Sequence, residues 1–179
     1  MNEKRVFIIH GWEGYPEEGW FPWLKRELES CGFEVYIPQM PNPDEPQLNE
    51  WLDKIKEVVG QPDEGTLFVG HSLGCYTTAK YLEGLEYGLK VGGAVLVAGF
   101  SGRLNIPESE NFYKNPLAWE KIKSHTKNFI AIHSDDDPYV PIERGEELKE
   151  KLGAKLVIQK GMKHFSGEEG IFELPIALN

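Results

Sequence analysis

The stretch that decides the fold is TLFVGHSLGCYTTAKYL, Thr66 to Leu82. It opens with a short apolar run, Leu67-Phe68-Val69. It closes with Tyr76, Ala79 and Tyr81 in a helical segment, so a strand passes into a helix within a few residues. Between them lies GHSLG, a serine flanked two residues away on each side by glycine. A G-x-S-x-G pattern alone is weak evidence, because a glycine-rich chain produces it by chance. Placed between a strand and a helix it becomes specific. Glycines permit a sharp turn that lifts Ser72 out of the backbone, with the positive end of the helix behind it.

Working outward, β-type apolar runs alternate with helical patterns. The predicted strands are Val6–Ile9, Phe33–Ile37, Thr66–Val69, Gly93–Ala98, Asn128–His133 and Lys155–Gln159. The predicted helices are Trp20–Cys31, Leu48–Val59, the segment from the elbow to about Glu83, one around Leu117–Lys123, Ile142–Leu152, and a short one from Glu168 onward. Gly32, Gly60 and Gly153 act as stop signals. PQMPNPDEP, residues 38–46, holds too much proline for either element and is a loop. Residues 99–116 lack clear periodicity and read as a loop or small lid. This alternation predicts an α/β fold with a mostly parallel sheet and helices on both faces.

Length and composition agree. The chain has 179 residues, 40% hydrophobic and 27% charged, which fits one domain over 1–179. Its formal net charge of -10 disfavours nucleic acid and anionic lipid as partners. No apolar stretch approaches a membrane span, and the N-terminal apolar run is too short for a signal peptide. The two cysteines, Cys31 and Cys75, are expected to be reduced core thiols of a cytoplasmic protein.

Open parallel sheets place their sites at the carboxyl ends of strands. Four loops occupy those ends here: His10-Gly11-Trp12-Glu13-Gly14, His71-Ser72-Leu73-Gly74, Ser134-Asp135-Asp136-Asp137-Pro138 and Gly161-Met162-Lys163-His164-Phe165. They supply serine, aspartate and histidine in chain order. A serine hydroxyl needs a base to accept its proton, and the base needs an orienting group. Ser72 is therefore the expected nucleophile, His164 the base and Asp137 the orienting acid. Any of Asp135, Asp136 and Asp137 could orient the histidine; Asp137, fixed by the turn at Pro138, is favoured, with Asp135 expected as a brace and Asp136 expected to face solvent. The N–H groups of Leu73 and Trp12 are the expected oxyanion donors, with Gly11 allowing close approach. His10 is expected to line the pocket or brace that loop, and His71 to point away from the nucleophile. His133 reads as structural. Trp20 and Trp23 read as core. No G-x-x-x-x-G-K-[ST] or G-x-G-x-x-G occurs, and the three aspartates lack regular ligand spacing, so neither cofactor nor metal is expected.

HGWEG, GHSLG, SDDDPYVP and GMKHF together resemble the α/β-hydrolase superfamily. More narrowly they are similar to its small serine hydrolases, those of the retinoblastoma-binding protein 9 and YdeN type. The loop QMPNP and the segment NPLAWEKIK resemble that group too. The resemblance implies a compact six-stranded sheet of order 2-1-3-4-5-6 and carries the nucleophile, acid and base onto Ser72, Asp137 and His164. It implies hydrolysis of small ester or amide substrates, carboxylesterase- or aminopeptidase-like. Gly60–Glu64 lacks the Leu and Cys of the L-x-C-x-E partner motif, so that partner is not expected. The rival reading is a catalytically idle binding protein on the same fold.

Overall fold

A computed structural model describes residues 4–178. Six strands form one sheet: β1 (Arg5–Ile9), β2 (Glu34–Tyr36), β3 (Thr66–His71), β4 (Gly93–Val97), β5 (Phe129–Ser134) and β6 (Lys155–Gln159). Their spatial order is β2-β1-β3-β4-β5-β6 and every adjacent pair is parallel. The sheet is thus wholly rather than mostly parallel. The helices are α1 (Phe21–Ser30), α2 (Leu48–Val59), α3 (Leu73–Gly84), α4 (Trp119–His125) and α5 (Glu143–Leu152). The parallel α/β sheet is the one the alternation implied, and its strand order is the one the resemblance implied.

The central strands β1, β3, β4 and β5 bury both faces, as parallel sheets require, while the edge strands β2 and β6 stay partly exposed. One face packs α2, α3, α4 and α5 through Trp51, Ile55, Tyr76, Leu82, Ile122 and Leu148, onto Phe7, Phe68 and Ala131. The other packs α1 and the C-terminal segment through Trp20, Phe21, Leu24, Phe165 and Leu174, onto Val6, Ile8, Val69 and Ile132. Helix α3 lies at the centre and is buried from Leu73 to Leu82. Its first turn runs so close to β1 that a Cβ at Gly74 would stand 2.1 Å from the Ile9 carbonyl oxygen.

Four expectations are corrected. Helix α1 starts at Phe21 with Pro22 in its first turn and ends at Ser30, and its buried residues are Phe21 and Leu24. Trp23 is therefore only partly buried, while Trp20 is fully buried just ahead of the helix. Cys31 falls in the turn after α1 and is exposed, so only Cys75 is a core thiol. After Glu168 the chain forms turns and a single 3-10 turn at Pro175–Leu178, because a proline cannot continue an α-helix from its N-terminal side. The segment 99–116 is not merely irregular: Pro107–Tyr113 form a 3-10 helix.

No helix of the described residues is long and apolar enough to cross a membrane. His133 lies on β5 under α5, where Gly145 leaves room for its ring: a Cβ at Gly145 would be 2.8 Å from His133 Cδ2. Both His133 ring nitrogens lack a partner among the described residues, and burial pushes the imidazole pKa down to about 4.

Two expectations follow. Gly74→Ala must push α3 off β1, because its obstacle is backbone rather than a flexible side chain. It should cost at least about 1–3 kcal/mol in urea unfolding, and wild-type stability would contradict the close crossing. His133 is neutral in the fold below pH 6.5, where the unfolded chain takes up a proton. Its contribution to stability therefore falls as pH drops from 6.5 towards 4. His133→Leu should flatten that part of the profile by up to about 1.4 kcal/mol per pH unit. An unchanged slope in urea midpoints would refute it.

Candidate active site

The two elbow glycines answer to two different obstacles. At Gly70 a Cβ would sit 2.7 Å from the Cys75 Cα, where α3 returns over the strand. At Gly74 it would strike β1. Between them Ser72 adopts φ 53°, ψ -119°. A non-glycine residue in that region is strained. Hydrogen bonds hold it there: the Ser72 N–H donates to the Val97 carbonyl at 2.9 Å, and the Cys75 N–H to the Ser72 carbonyl at 2.9 Å. The Leu73 N–H, first in α3, has no intrahelical partner.

The loop after β1 passes directly against the serine. A Cβ at Gly11 would lie 3.0 Å from Ser72 Cβ and 3.6 Å from its Oγ. The Trp12 N–H has no hydrogen-bond partner among the described residues. The loop is pinned from outside: the Glu13 N–H donates to the Pro43 carbonyl at 2.8 Å, and Trp12 Nε1 to the Asp44 carbonyl at 3.0 Å. His10 is buried beneath it. Its Nδ1 bonds the Gly11 carbonyl at 2.8 Å and its Nε2 accepts the Met40 N–H at 3.0 Å. Burial lowers its pKa, which keeps Nε2 an acceptor. His10 is thus a brace between the loop 10–14 and the proline-rich loop 38–46.

Asp137 and His164 meet side chain to side chain. His164 Nδ1 lies 2.8 Å from Asp137 Oδ2 and 3.1 Å from Oδ1. The Asp137 side chain is 1% exposed and the His164 ring 14%. Asp137 Oδ1 also accepts the N–H groups of Tyr139 and Val140, at 2.8 and 2.9 Å, which fixes the carboxylate before it meets the ring. A proton on Nδ1 leaves Nε2, on the other edge of the ring, as the basic atom. The Tyr139 ring stands edge-on to the imidazole at 5.1 Å.

His71 does more than point away from Ser72. Its Nε2 donates to the His164 carbonyl at 2.7 Å, so the residue before the serine holds the backbone of the histidine. Its ring packs against Trp20, Phe21 and His164. Burial, helped by the neighbouring His164, pushes its pKa down to about 3, so it stays neutral and donates as written. Nothing in HSLG announces this tie; it depends on where residue 164 returns.

The acid loop also binds the histidine loop by its backbone. Asp135 Oδ1 accepts the Gly161 N–H at 2.9 Å, as the brace expected of it. Ser134 Oγ accepts the Met162 N–H at 2.9 Å, a role the sequence did not suggest. Asp136 is not simply turned to solvent. It accepts the Lys163 N–H at 2.9 Å and pairs with Lys163 Nζ at 2.9 Å. Its bonds to Lys163 and Ser134 bring its pKa down to about 2. Glu169, also missed, bonds His164 and Ser166. His125 lies far from this rim in sequence and topology, at the end of α4, with Nδ1 bonded to the Leu89 carbonyl.

After β4, residues 99–116 pack onto the helices rather than standing out from them. Phe100 and Phe112 are buried, Tyr113 packs edge-on to Tyr76, and Phe112 edge-on to Trp51. Asn111 fastens the segment to α2, accepting the Leu48 N–H at 2.8 Å and donating to the Pro46 carbonyl at 2.8 Å. Among the described residues no group of three or more His, Cys, Asp or Glu side chains is arranged to hold a metal.

The chain is similar to known hydrolases over nearly all of its length. A family model described as serine hydrolase matches residues 6–179. YdeN of Bacillus subtilis (strain 168) is 36% identical over 174 residues, spanning 97% of this chain and 92% of its own. Serine hydrolase RBBP9 of Rattus norvegicus is 31% identical over 155 residues, spanning 84% of this chain and 80% of its own. The crystal structure of the B. subtilis ydeN gene product superposes with a TM-score of 0.93 at 35% identity, over 97% of this chain and 94% of that one. Est1E from Butyrivibrio proteoclasticus shares the fold, with a TM-score of 0.73 at 18% identity over 98% of this chain and 83% of that one. By the extent of the family match and the identity to these relatives, the chain belongs to the serine hydrolase family.

Proposed function

We propose that this serine hydrolase cleaves small acyl esters or amides through an acyl-enzyme on Ser72, with no cofactor. The observation that carries the reading is the Asp137–His164 pair, tied to His71, the residue preceding a strained serine. Ser72 Oγ attacks the substrate carbonyl carbon and its proton passes to His164 Nε2. Asp137 holds the tautomer that leaves Nε2 free and stabilises the imidazolium that results. The carbonyl oxygen takes up the negative charge and is met by the Leu73 and Trp12 N–H groups. Collapse expels the leaving group, which takes the proton from His164. Water then attacks the acyl-serine by the same steps in reverse, with His164 as base and then acid.

Residues 99–116 are a short segment fastened down by Asn111 rather than a large cap, which fits small substrates or exposed chain ends. Tyr139, 63% exposed, stands edge-on beside the His164 ring and offers an aromatic surface next to the base. A net charge of -10 argues against nucleic acid or an anionic membrane as partner. Two free thiols, one exposed and one buried, fit a reducing, cytoplasmic setting.

Steady-state hydrolysis of p-nitrophenyl acyl esters and amino-acid arylamides tests the reading. Wild-type protein should turn over at least one of them, and Ser72→Ala should abolish that turnover. Asp137→Asn should lower kcat by roughly 10⁴-fold, whereas Asp136→Asn, which keeps an oxygen for the Lys163 N–H, should cost no more than about tenfold. A larger loss at 136 than at 137 would move the acid. No turnover of any substrate would favour the idle binding protein.

A further inference from the structure

The histidine loop contains two residues under backbone strain. Lys163 has φ 52° and Phe165 has φ 58°, so His164 sits between two non-glycine residues in the left-handed region. Such a loop keeps its shape only if its polar groups are held. The acid loop holds the backbone of Gly161, Met162 and Lys163 and, through Asp137, the ring of His164, but not the backbone of the histidine. That contact comes from downstream in the chain. Glu169 Oε2 accepts the His164 N–H at 2.8 Å, the Ser166 N–H at 3.1 Å and the Ser166 hydroxyl at 3.0 Å. The Glu169 N–H donates to the Ser166 carbonyl at 3.2 Å, which closes the turn on itself.

His164 is therefore fixed at three points: its N–H by Glu169, its carbonyl by His71, and its ring by Asp137. Bonds from N–H groups to a carboxylate are about twice as strong as neutral ones. We propose that Glu169 is a positioning residue for His164, setting where Nε2 stands relative to the Ser72 hydroxyl. This rests on the reading of His164 as the base. Without the carboxylate, Lys163 and Phe165 can relax towards ordinary backbone angles and carry the ring with them. A displacement of about 1 Å at a reacting group costs roughly 10²-fold in rate.

The test is ester hydrolysis by the full chain with Glu169→Ala, Glu169→Gln, His164→Gln and the double variant Glu169→Ala/His164→Gln. Glu169→Ala should lower kcat by roughly 10- to 100-fold with KM within about twofold. Glu169→Gln keeps an acceptor oxygen in the same place and should recover most of that loss. On the His164→Gln background, Glu169→Ala should leave the residual rate unchanged, since no base remains to be misplaced. Wild-type kcat in Glu169→Ala, or the same fold-loss with and without His164, would overturn the proposal. If Glu169→Ala does not fold, Glu169→Asp carries the test: its carboxylate is drawn back by one methylene, and an undiminished kcat would overturn the proposal equally. The two readings fail differently. Full activity in His164→Gln removes the base assignment and the Glu169 proposal with it. An inactive His164→Gln beside a fully active Glu169→Ala removes the Glu169 proposal alone.

Discussion

The close crossing of α3 over β1 is the contact on which the site depends. With Gly74 against the Ile9 carbonyl, the helix can begin only where the strand ends, and the residue between them must turn through a left-handed conformation. That residue is Ser72. Such a backbone geometry costs of the order of 1–3 kcal/mol and persists only where its surroundings enforce it. Here the bonds to Val97 and Cys75 and the buried body of α3 enforce it. The same crossing sets the first loop against the serine, since β1 continues into Gly11 and Trp12. One packing contact therefore places both the hydroxyl and an N–H donor.

Carboxylates do the rest. The acidity of the chain is partly a solvated surface, but at this rim it is structural. Asp135 and Asp136 stitch the loop after β5 to the loop after β6, and Glu18 reaches the Gly167 N–H at 2.6 Å. Burial raises the Glu18 pKa, opposed by that bond. Backbone N–H groups of a loop that cannot join a ladder are satisfied by side-chain oxygens instead, which is the accounting every such loop must meet. Acidic residues suit the task because each offers two acceptor oxygens and no donor.

The sequence displayed what depends on local pattern. Six apolar β-type runs and the strand–glycine–helix passage were legible because burial within the sheet and tight turns leave marks on residue choice. The order of serine, aspartate and histidine on three strand ends was legible because topology puts those ends together. The sheet order came from resemblance rather than periodicity. What failed to show were contacts between distant backbones. His71 holding the His164 carbonyl, Ser134 holding Met162 and Glu169 holding His164 involve ordinary residue types at unremarkable spacings. Helix faces near an end also misled: Cys31 fits the periodicity of α1, yet the helix stops at Ser30 and the thiol turns outward. Trp23 shares that spacing, but the buried stripe runs through Phe21 and Leu24.

The central claim is that Ser72 is an activated nucleophile rather than a hydroxyl at a tight turn. The most direct measurement is intact-protein mass after brief exposure to a fluorophosphonate, followed by peptide mapping. The account predicts one adduct per chain, on Ser72, absent after Ser72→Ala and much slowed in His164→Gln. An adduct on another residue, or labelling indifferent to both changes, would contradict it.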